Sequence, residues 1–352
     1  MLTVNQQPDS INYSLSLPHV KVVSTNSTID VKLFKAEQLI IDETYDQPPA
    51  DGELVLKFSE IADLLLSGTL PDYNQTISVQ SSGVANFKLE LSDLDETKEI
   101  LFTVVKGYVR RQPFDVNGFL RDSWLNIVPA VSEVTFHQPL YLSAYPPINV
   151  TAIAKGRLID GSDKIITLGT LNANVLYSIN LNPGRMIQLF DSEYEYFDVY
   201  TLEGSAIRNG YKRFVFSNRF EFDGDTFLYL NRLGGWDTLM FSGEHEDQNA
   251  NTISTGLFDE NEYEFNQTPN YSVLKNSGYI KNELHRKQCI DFLYSKQRYH
   301  LHDGALRPIV LNNPETNLVK GELNSFAFTF RYSDTKTGYP ELGIIPYNLI
   351  IQ

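Results

Sequence analysis

Asn86–Leu91 reads NFKLEL. Phe87, Leu89 and Leu91 fall at every second position with Lys88 and Glu90 between them. In an extended chain the apolar side chains therefore leave one face and the charged ones the other. The same period of two runs through Ile29–Phe34 (IDVKLF), Glu53–Phe58 (ELVLKF) and Ile148–Leu158 (INVTAIAKGRL), then Val175–Leu181 (VLYSINL) and Leu323–Tyr332 (LNSFAFTFRY). Turn-forming clusters separate these runs: Gln47–Gly52 (QPPADG), Asp160–Asp163 (DGSD), Asn182–Gly184 (NPG) and Asn312–Pro314 (NNP). Many short strands punctuated this way predict antiparallel sandwiches rather than a parallel sheet with crossover helices. Composition agrees: 21 Phe and 20 Tyr against 3 Met favour pleated, half-buried surfaces over helical bundles.

Two helices are expected. Ser59–Leu66 (SEIADLLL) offers a Ser to cap the first turn, early acidic residues and Gly68 beyond its end. Tyr279–Lys296 places Ile280, Leu284, Ile290 and Leu293 near one face, with Lys281, Glu283, Lys287 and Asp291 around the other. The fold class is therefore mainly β: two N-terminal β-sandwich modules, 1–110 and 111–205, followed by a larger β-rich module, 206–352, carrying the helix 279–296. The junctions are placed near Arg110–Pro113 and Gly204–Gly210. Charge steps there too, from −8 over 1–110 to −4 over 111–205 and −3 over 206–352.

The net charge of −15 disfavours a sequence-independent grip on nucleic-acid phosphates. The one cysteine, Cys289, excludes an internal disulfide framework and is expected to pack as a small apolar residue. The first twenty residues have neither a basic leader nor a continuous apolar stretch, and no long uncharged apolar run follows. A secretory signal and a membrane span are accordingly not expected, and synthesis and folding in a cytoplasm are.

Catalytic signatures are sparse. His300 and His302 flank Leu301 on a strand, so both rings leave the same face beside Asp303, the donor types of a two-nitrogen, one-carboxylate metal site. No third ligand is indicated by spacing, and a solvated strand end at the HDG turn is the preferred reading. His19, His137, His245 and His285 stand alone. Glu244–Asp247 (EHED) and Asp259–Glu264 (DENEYE) are rich in carboxylates, the groups a glycosidase needs in pairs, but adjacency in sequence does not create such a pair. Asp223–Asp225 (DGD) reads as a hairpin turn rather than a calcium loop, because the strand Thr226–Tyr229 follows. There is no GxSxG elbow, phosphate-cradling loop, HExxH or dinucleotide fingerprint. No catalytic, cofactor-binding or metal-binding residue is assigned, and no cofactor is expected.

Phe227–Gly243 reads FLYLNRLGGWDTLMFSG: a strand, a glycine turn, then a strand with Leu239 and Phe241 on one face. Gly234 and Gly235 are expected to supply positive φ at the tip, Asp237 to bond the turn amides, and Trp236 to cover the corner. This hairpin, the helix at Tyr279–Lys296, the strand pair Tyr299–Val310 (YHLHDGALRPIV) and the closing strand Leu323–Asp334 resemble, in that order, a pattern of virion proteins from phages and prophages of the Bacteroidota. The resemblance spans residues 195–334. It implies a structural, non-enzymatic component of a phage tail: hub, baseplate or distal adaptor. Leu233, Gly234, Gly235, Asp237, Thr238 and Gly243 would be fold determinants; Arg232 and Trp236 are not specified by the pattern. The expected partners are copies of itself in a ring or trimer and neighbouring tail proteins, and the expected location is the virion, assembled in the host cytoplasm.

Two other readings compete. A carbohydrate- or receptor-binding tail protein would stack Tyr194, Tyr196 and Tyr200 on a host-surface glycan. A polysaccharide depolymerase would use Glu244 and Asp247. The uncharged segment Gly343–Gln352 (GIIPYNLIIQ) is expected to pair within its own sheet or add to a neighbouring subunit.

Overall fold

A computed structural model describes residues 1–48, 52–109, 114–136, 138–217, 224–258, 261–312 and 324–333. Arg110–Pro113, His137, Asp223, Asp259, Glu260 and the Gly343–Gln352 segment lie outside the described residues. Among the described residues twenty-four strands stand against four α-helices and two 3-10 turns, so the chain is mainly β. No helix among the described residues is long and apolar enough to cross a membrane. The chain divides into two compact units, 1–218 with 230–237, and 219–229 with 238–352.

In the first unit, a five-stranded sheet runs in the order Ile11–Tyr13, Thr97–Val105, Val84–Ser92, Thr28–Lys35, Gln38–Asp46. A three-stranded sheet of Leu2–Gln6, Val20–Ser24 and Leu54–Leu56 shares a core with it. The opening alternation is realised directly: Phe87, Leu89 and Leu91 are buried, and Phe87 stacks on Phe102 directly opposite, with ring centroids 5.7 Å apart. A second core lies between a six-stranded sheet and the three strands Tyr141–Ala144, Tyr177–Asn180 and Ile77–Val79. Two pairings run across the expected junctions: Ile77–Val79 joins Tyr177–Asn180, and Val131–Val134 joins Lys212–Phe216 in parallel.

The helices depart from expectation in informative ways. Helix α1 is Ser59–Leu64, and its N-cap is Phe58, so Ser59 is the first helical residue rather than the cap. It is held through Asp63, which is buried: Lys106 Nζ lies 2.7 Å from its Oδ1 and donates to its carbonyl, and Ser14 Oγ donates to Oδ1 at 2.9 Å. Helices α2, Val116–Asp122, and α3, Pro183–Phe190, were not anticipated. The NPG cluster taken for a turn is the start of α3: Asn182 is the N-cap and Pro183 occupies the first turn, where its missing N–H costs nothing.

The second unit is built on a seven-stranded sheet in the order Trp236–Phe241, Asp225–Leu230, Arg298–His302, Ala305–Asn312, Ala327–Tyr332, Asn261–Asn276, His245–Phe258. Helix α4, Glu283–Tyr294, is the longest described helix. Its Phe292 packs edge-on against Phe227, Tyr229, Phe241 and Phe328. Cys289 is fully buried in this core, and burial pushes its thiol up to about 12. Asp291, expected on the polar face, is buried, as is Gln288. Both ends of α4 are closed. The Asn282 side chain accepts from His285 N at 2.9 Å, and Arg298 Nε and Nη2 donate to the carbonyls of Phe292 and Leu293 at 2.6 Å. Asn282→Ala is expected to lower the stability of the second unit by about 1 kcal/mol, read from the urea midpoint of its amide hydrogen exchange.

Candidate functional site

Asn231–Asp237, the tip of the FLYLNRLGGWDTLMFSG hairpin, belongs to the first unit, and its polar groups are consumed by packing. Gly234 has φ +84° and carries the turn, but Gly235 is not in the positive-φ region, contrary to expectation. Gly235 is required for space: a Cβ there would stand 2.0 Å from the Leu125 carbonyl oxygen. The turn amides are bonded by Asn231 rather than Asp237, its Oδ1 accepting from Leu233 N at 2.8 Å and Gly235 N at 3.1 Å. Asp237 is instead a buried hub. Its Oδ1 accepts from Asn126 Nδ2 at 2.7 Å, and its Oδ2 accepts from Ile127 N at 2.9 Å and Asn231 Nδ2 at 2.7 Å. Trp236 is buried, with Nε1–H donating to the Thr69 carbonyl at 3.0 Å. Leu233 packs beside Tyr13, Leu125 and Leu176, Thr238 is half-buried, and Arg232 is exposed. In the second unit a Cβ at Gly243 would meet the Asn276 carbonyl at 2.6 Å.

A dense set of titratable groups lies in the second unit around Asp225. Asp225 opens the strand Asp225–Leu230 rather than ending a turn. Its Oδ2 receives His245 Nδ1 at 2.7 Å and the fully buried Lys275 Nζ at 2.9 Å, while its Oδ1 receives His300 Nε2 at 3.0 Å. His300 Nδ1 pairs with the Tyr332 hydroxyl at 2.8 Å. His245 Nε2 lies 3.3 Å from Asp247 Oδ1, which also accepts from Tyr271 Oη. His300 is therefore a buried, doubly bonded ring, and both nitrogens that a metal would need are engaged. His302 is half-exposed and 3.4 Å from Asp303. Among the described residues no group of three His, Cys, Asp or Glu side chains is placed to hold a metal ion.

Burial works against the charge on Asp225, but hydrogen bonds from His300, His245 and Lys275 outweigh it and hold the carboxyl well below its usual range. Burial likewise opposes the His245 imidazolium, and Asp225, then Asp247, overcome it and raise that pKa. The two shifts act at opposite ends of the pH scale. The Asp225 contribution is present above the unfolded carboxylate value and is lost as pH falls through the depressed one. The His245 contribution is complete below about pH 6.5 and is lost as pH rises through the raised value. His245→Gln is therefore expected to lower the melting temperature more at pH 5.5 than at pH 9, as followed by near-ultraviolet dichroism. An equal loss at both values would contradict the assignment.

The other candidates are dispersed. Glu244 is exposed, and its carbonyl accepts from Asn276 N; Asp247 is tied to His245 and Tyr271. His19 is exposed, and burial lowers the pKa of His285. Tyr194, expected at a glycan surface, is buried between Phe190, Phe197 and Phe216. The register with Val150–Leu158 shifts between Tyr196 and Tyr194, and this bulge turns Tyr194 into the core. Tyr196 and Tyr200 remain half-exposed, Tyr196 under the Arg213 guanidinium at 4.1 Å and Tyr200 against Tyr211. Asp225 and Lys275 had no local signal; the Asp225 site is assembled from strands far apart in sequence.

No protein-family model matches the chain, and no curated protein sequence matches it. Among solved structures, the YadV chaperone aligns over 60% of this chain and 98% of its own at 10% identity, with a TM-score of 0.18. The titin I-band fragment I67–I69 aligns over 94% of this chain and 87% of its own at 7% identity, with a TM-score of 0.19. Likenesses this slight carry no argument about this chain.

Proposed function

We propose that the chain is a non-enzymatic structural component of a bacteriophage virion, placed in the tail as a hub, baseplate or distal-adaptor protein. It assembles with copies of itself and with neighbouring tail proteins into a ring or spike base. The observation that carries this reading is the use made of the residues on which the phage resemblance rests. Gly234 and Gly235 fit against the Lys106 and Leu125 carbonyls, and Asp237 receives three buried donors. Residues spent on internal packing suit a scaffold and leave no reactive group at the motif. Immunogold electron microscopy on particles from an induced lysate tests this: label at one fixed tail position is expected, and unlabelled particles with the protein only in the soluble fraction would overturn it.

A second reading, a glycan-binding tail protein, is favoured by Tyr196 and Tyr200, two half-exposed rings sharing a sheet face with Arg213. Under that reading Tyr196→Ala and Tyr200→Ala abolish retention on a host-surface polysaccharide column; retention by neither wild type nor variants rules it out.

A further inference from the structure

The seven-stranded sheet of the second unit ends in a hairpin whose strands are much longer than the sheet uses. His245–Phe258 has 14 residues and Asn261–Asn276 has 16, where strands commonly have about 5–6. On the inner side only Val273–Asn276 pairs, with Ala327–Phe330. Past that point Gln248–Phe258 and Asn261–Ser272 pair with each other alone among the described residues. A two-stranded ribbon of this kind is marginally stable in water by itself. Its root is fixed, because His245 and Lys275, directly opposite one another, both reach Asp225. At about 3.4 Å per residue, Gln248–Phe258 carries the ribbon about 35 Å past that root.

The two strands of the ribbon are not alike. Asn261–Ser272 carries Glu262 and Glu264, lacks a donor at Pro269, and holds an extra residue, Phe265, where the register shifts between Ser254 and Thr255. Charge, proline and a bulge are the devices that keep a free edge from pairing. Gln248–Phe258 (QNANTISTGLF) has none of them: no charge, no proline and no inserted residue. It is also the last strand of the sheet, so its outward N–H and C=O groups form an open row among the described residues. At the midpoint of the run stands Ile253, 45% exposed, with Ala250 and Thr255 exposed beside it. The neutrality of the run decides whose strand it receives. Glu246 and Asp247 precede it and Asp259 and Glu260 follow it, in a chain of net charge −15. A basic or acidic partner finds no counter-charge along it. Two copies related by a two-fold axis at Ile253 set only uncharged residues face to face, from Gln248 opposite Phe258 through Ile253 opposite its own copy. The acids fall beyond both ends, where their repulsion confines pairing to the run.

We propose that Gln248–Phe258 is a dimerisation edge, pairing antiparallel with the same strand of a second copy of this chain about a two-fold axis at Ile253. The two ribbons together make a four-stranded sheet, past the number of strands that stands by itself in water. The inference does not rest on the virion reading: it is decided in solution, without particles, whereas gold labelling decides the place in a tail.

Light scattering on the full chain over a concentration series tests it. A mass approaching twice that of one chain is expected as concentration rises. Ile253→Lys sets like charges directly opposite at the axis and should raise the dissociation constant about tenfold. Ile253→Cys keeps the strand neutral and places two thiols across the axis, where opposed Cα atoms lie about 4.5–5.5 Å apart, within disulfide reach. Native Cys289 is buried, so mild oxidation of that variant should give a cross-linked pair that dithiothreitol reverses. Near-ultraviolet dichroism verifies that the second unit is folded in each variant. A single-chain mass at every concentration overturns the proposal and leaves the edge to solvent or to another segment of the same chain. A dimer that Ile253→Lys leaves unchanged, or in which Ile253→Cys forms no cross-link, overturns it by placing the interface elsewhere.

Discussion

Gly235→Val is expected to abolish the cooperative unfolding transition of the first unit and to leave the protein insoluble on expression. A Cβ at this position would stand 2.0 Å from the Leu125 carbonyl oxygen and 2.8 Å from its carbon. Both are backbone atoms that no side-chain rotation can move aside. The hairpin tip must then withdraw, taking Trp236 out of its buried position and stranding Asn231 and Asp237. Losses above about 4 kcal/mol arise from overpacking of this kind. The only two tryptophans, Trp124 and Trp236, both lie in the first unit, so emission reports on it directly. A variant with wild-type emission and melting temperature would mean that the tip does not need the close approach.

Asp237→Ala is expected to cost about 3 kcal/mol, a large share of an ordinary domain's stability, through a different route. The fold would keep its shape but lose the acceptor for the buried Ile127 N–H and one acceptor each for the Asn126 and Asn231 amides. Those amides retain other bonds, Asn126 to the Trp236 carbonyl and Asn231 to the Leu125 carbonyl, so the main loss falls on Ile127. Urea denaturation followed by tryptophan emission measures it. A midpoint within a few tenths of a kcal/mol of wild type would show that water replaces the carboxylate.

What the sequence made legible follows from the range of the interactions. Alternation is local, so the windows around Phe87, Ile29, Ala152 and Phe328 lie in strands with the expected faces buried. Helix α4 was legible through its apolar spacing and α1 through its composition. Helix α3 was not, because NPG serves equally as a turn and as a helix start, and the six helical residues that follow it carry too short a pattern to decide. The tip motif was visible as a turn, but the reason for Gly235 and two of Asp237's three partners, Asn126 and Ile127, lie more than a hundred residues away. The same holds for Asp225, whose partners His245, Lys275 and His300 come from three other strands. Tyr194 misled for a subtler reason: one bulge reverses the facing of a strand, and nothing in YEYFDVY marks it.

The inclusion of residues 230–237 in the first unit has a consequence for synthesis. A ribosome delivers residues 1–218 well before the segment that completes their packing, and Asn126 must wait 111 residues for Asp237. Until then the place taken by Trp236, among the largest fully buried side chains, stands open. The nascent first unit is therefore obliged to remain incomplete while the start of the second is translated, so the usual order in which a leading domain finishes before its successor begins does not hold for this chain.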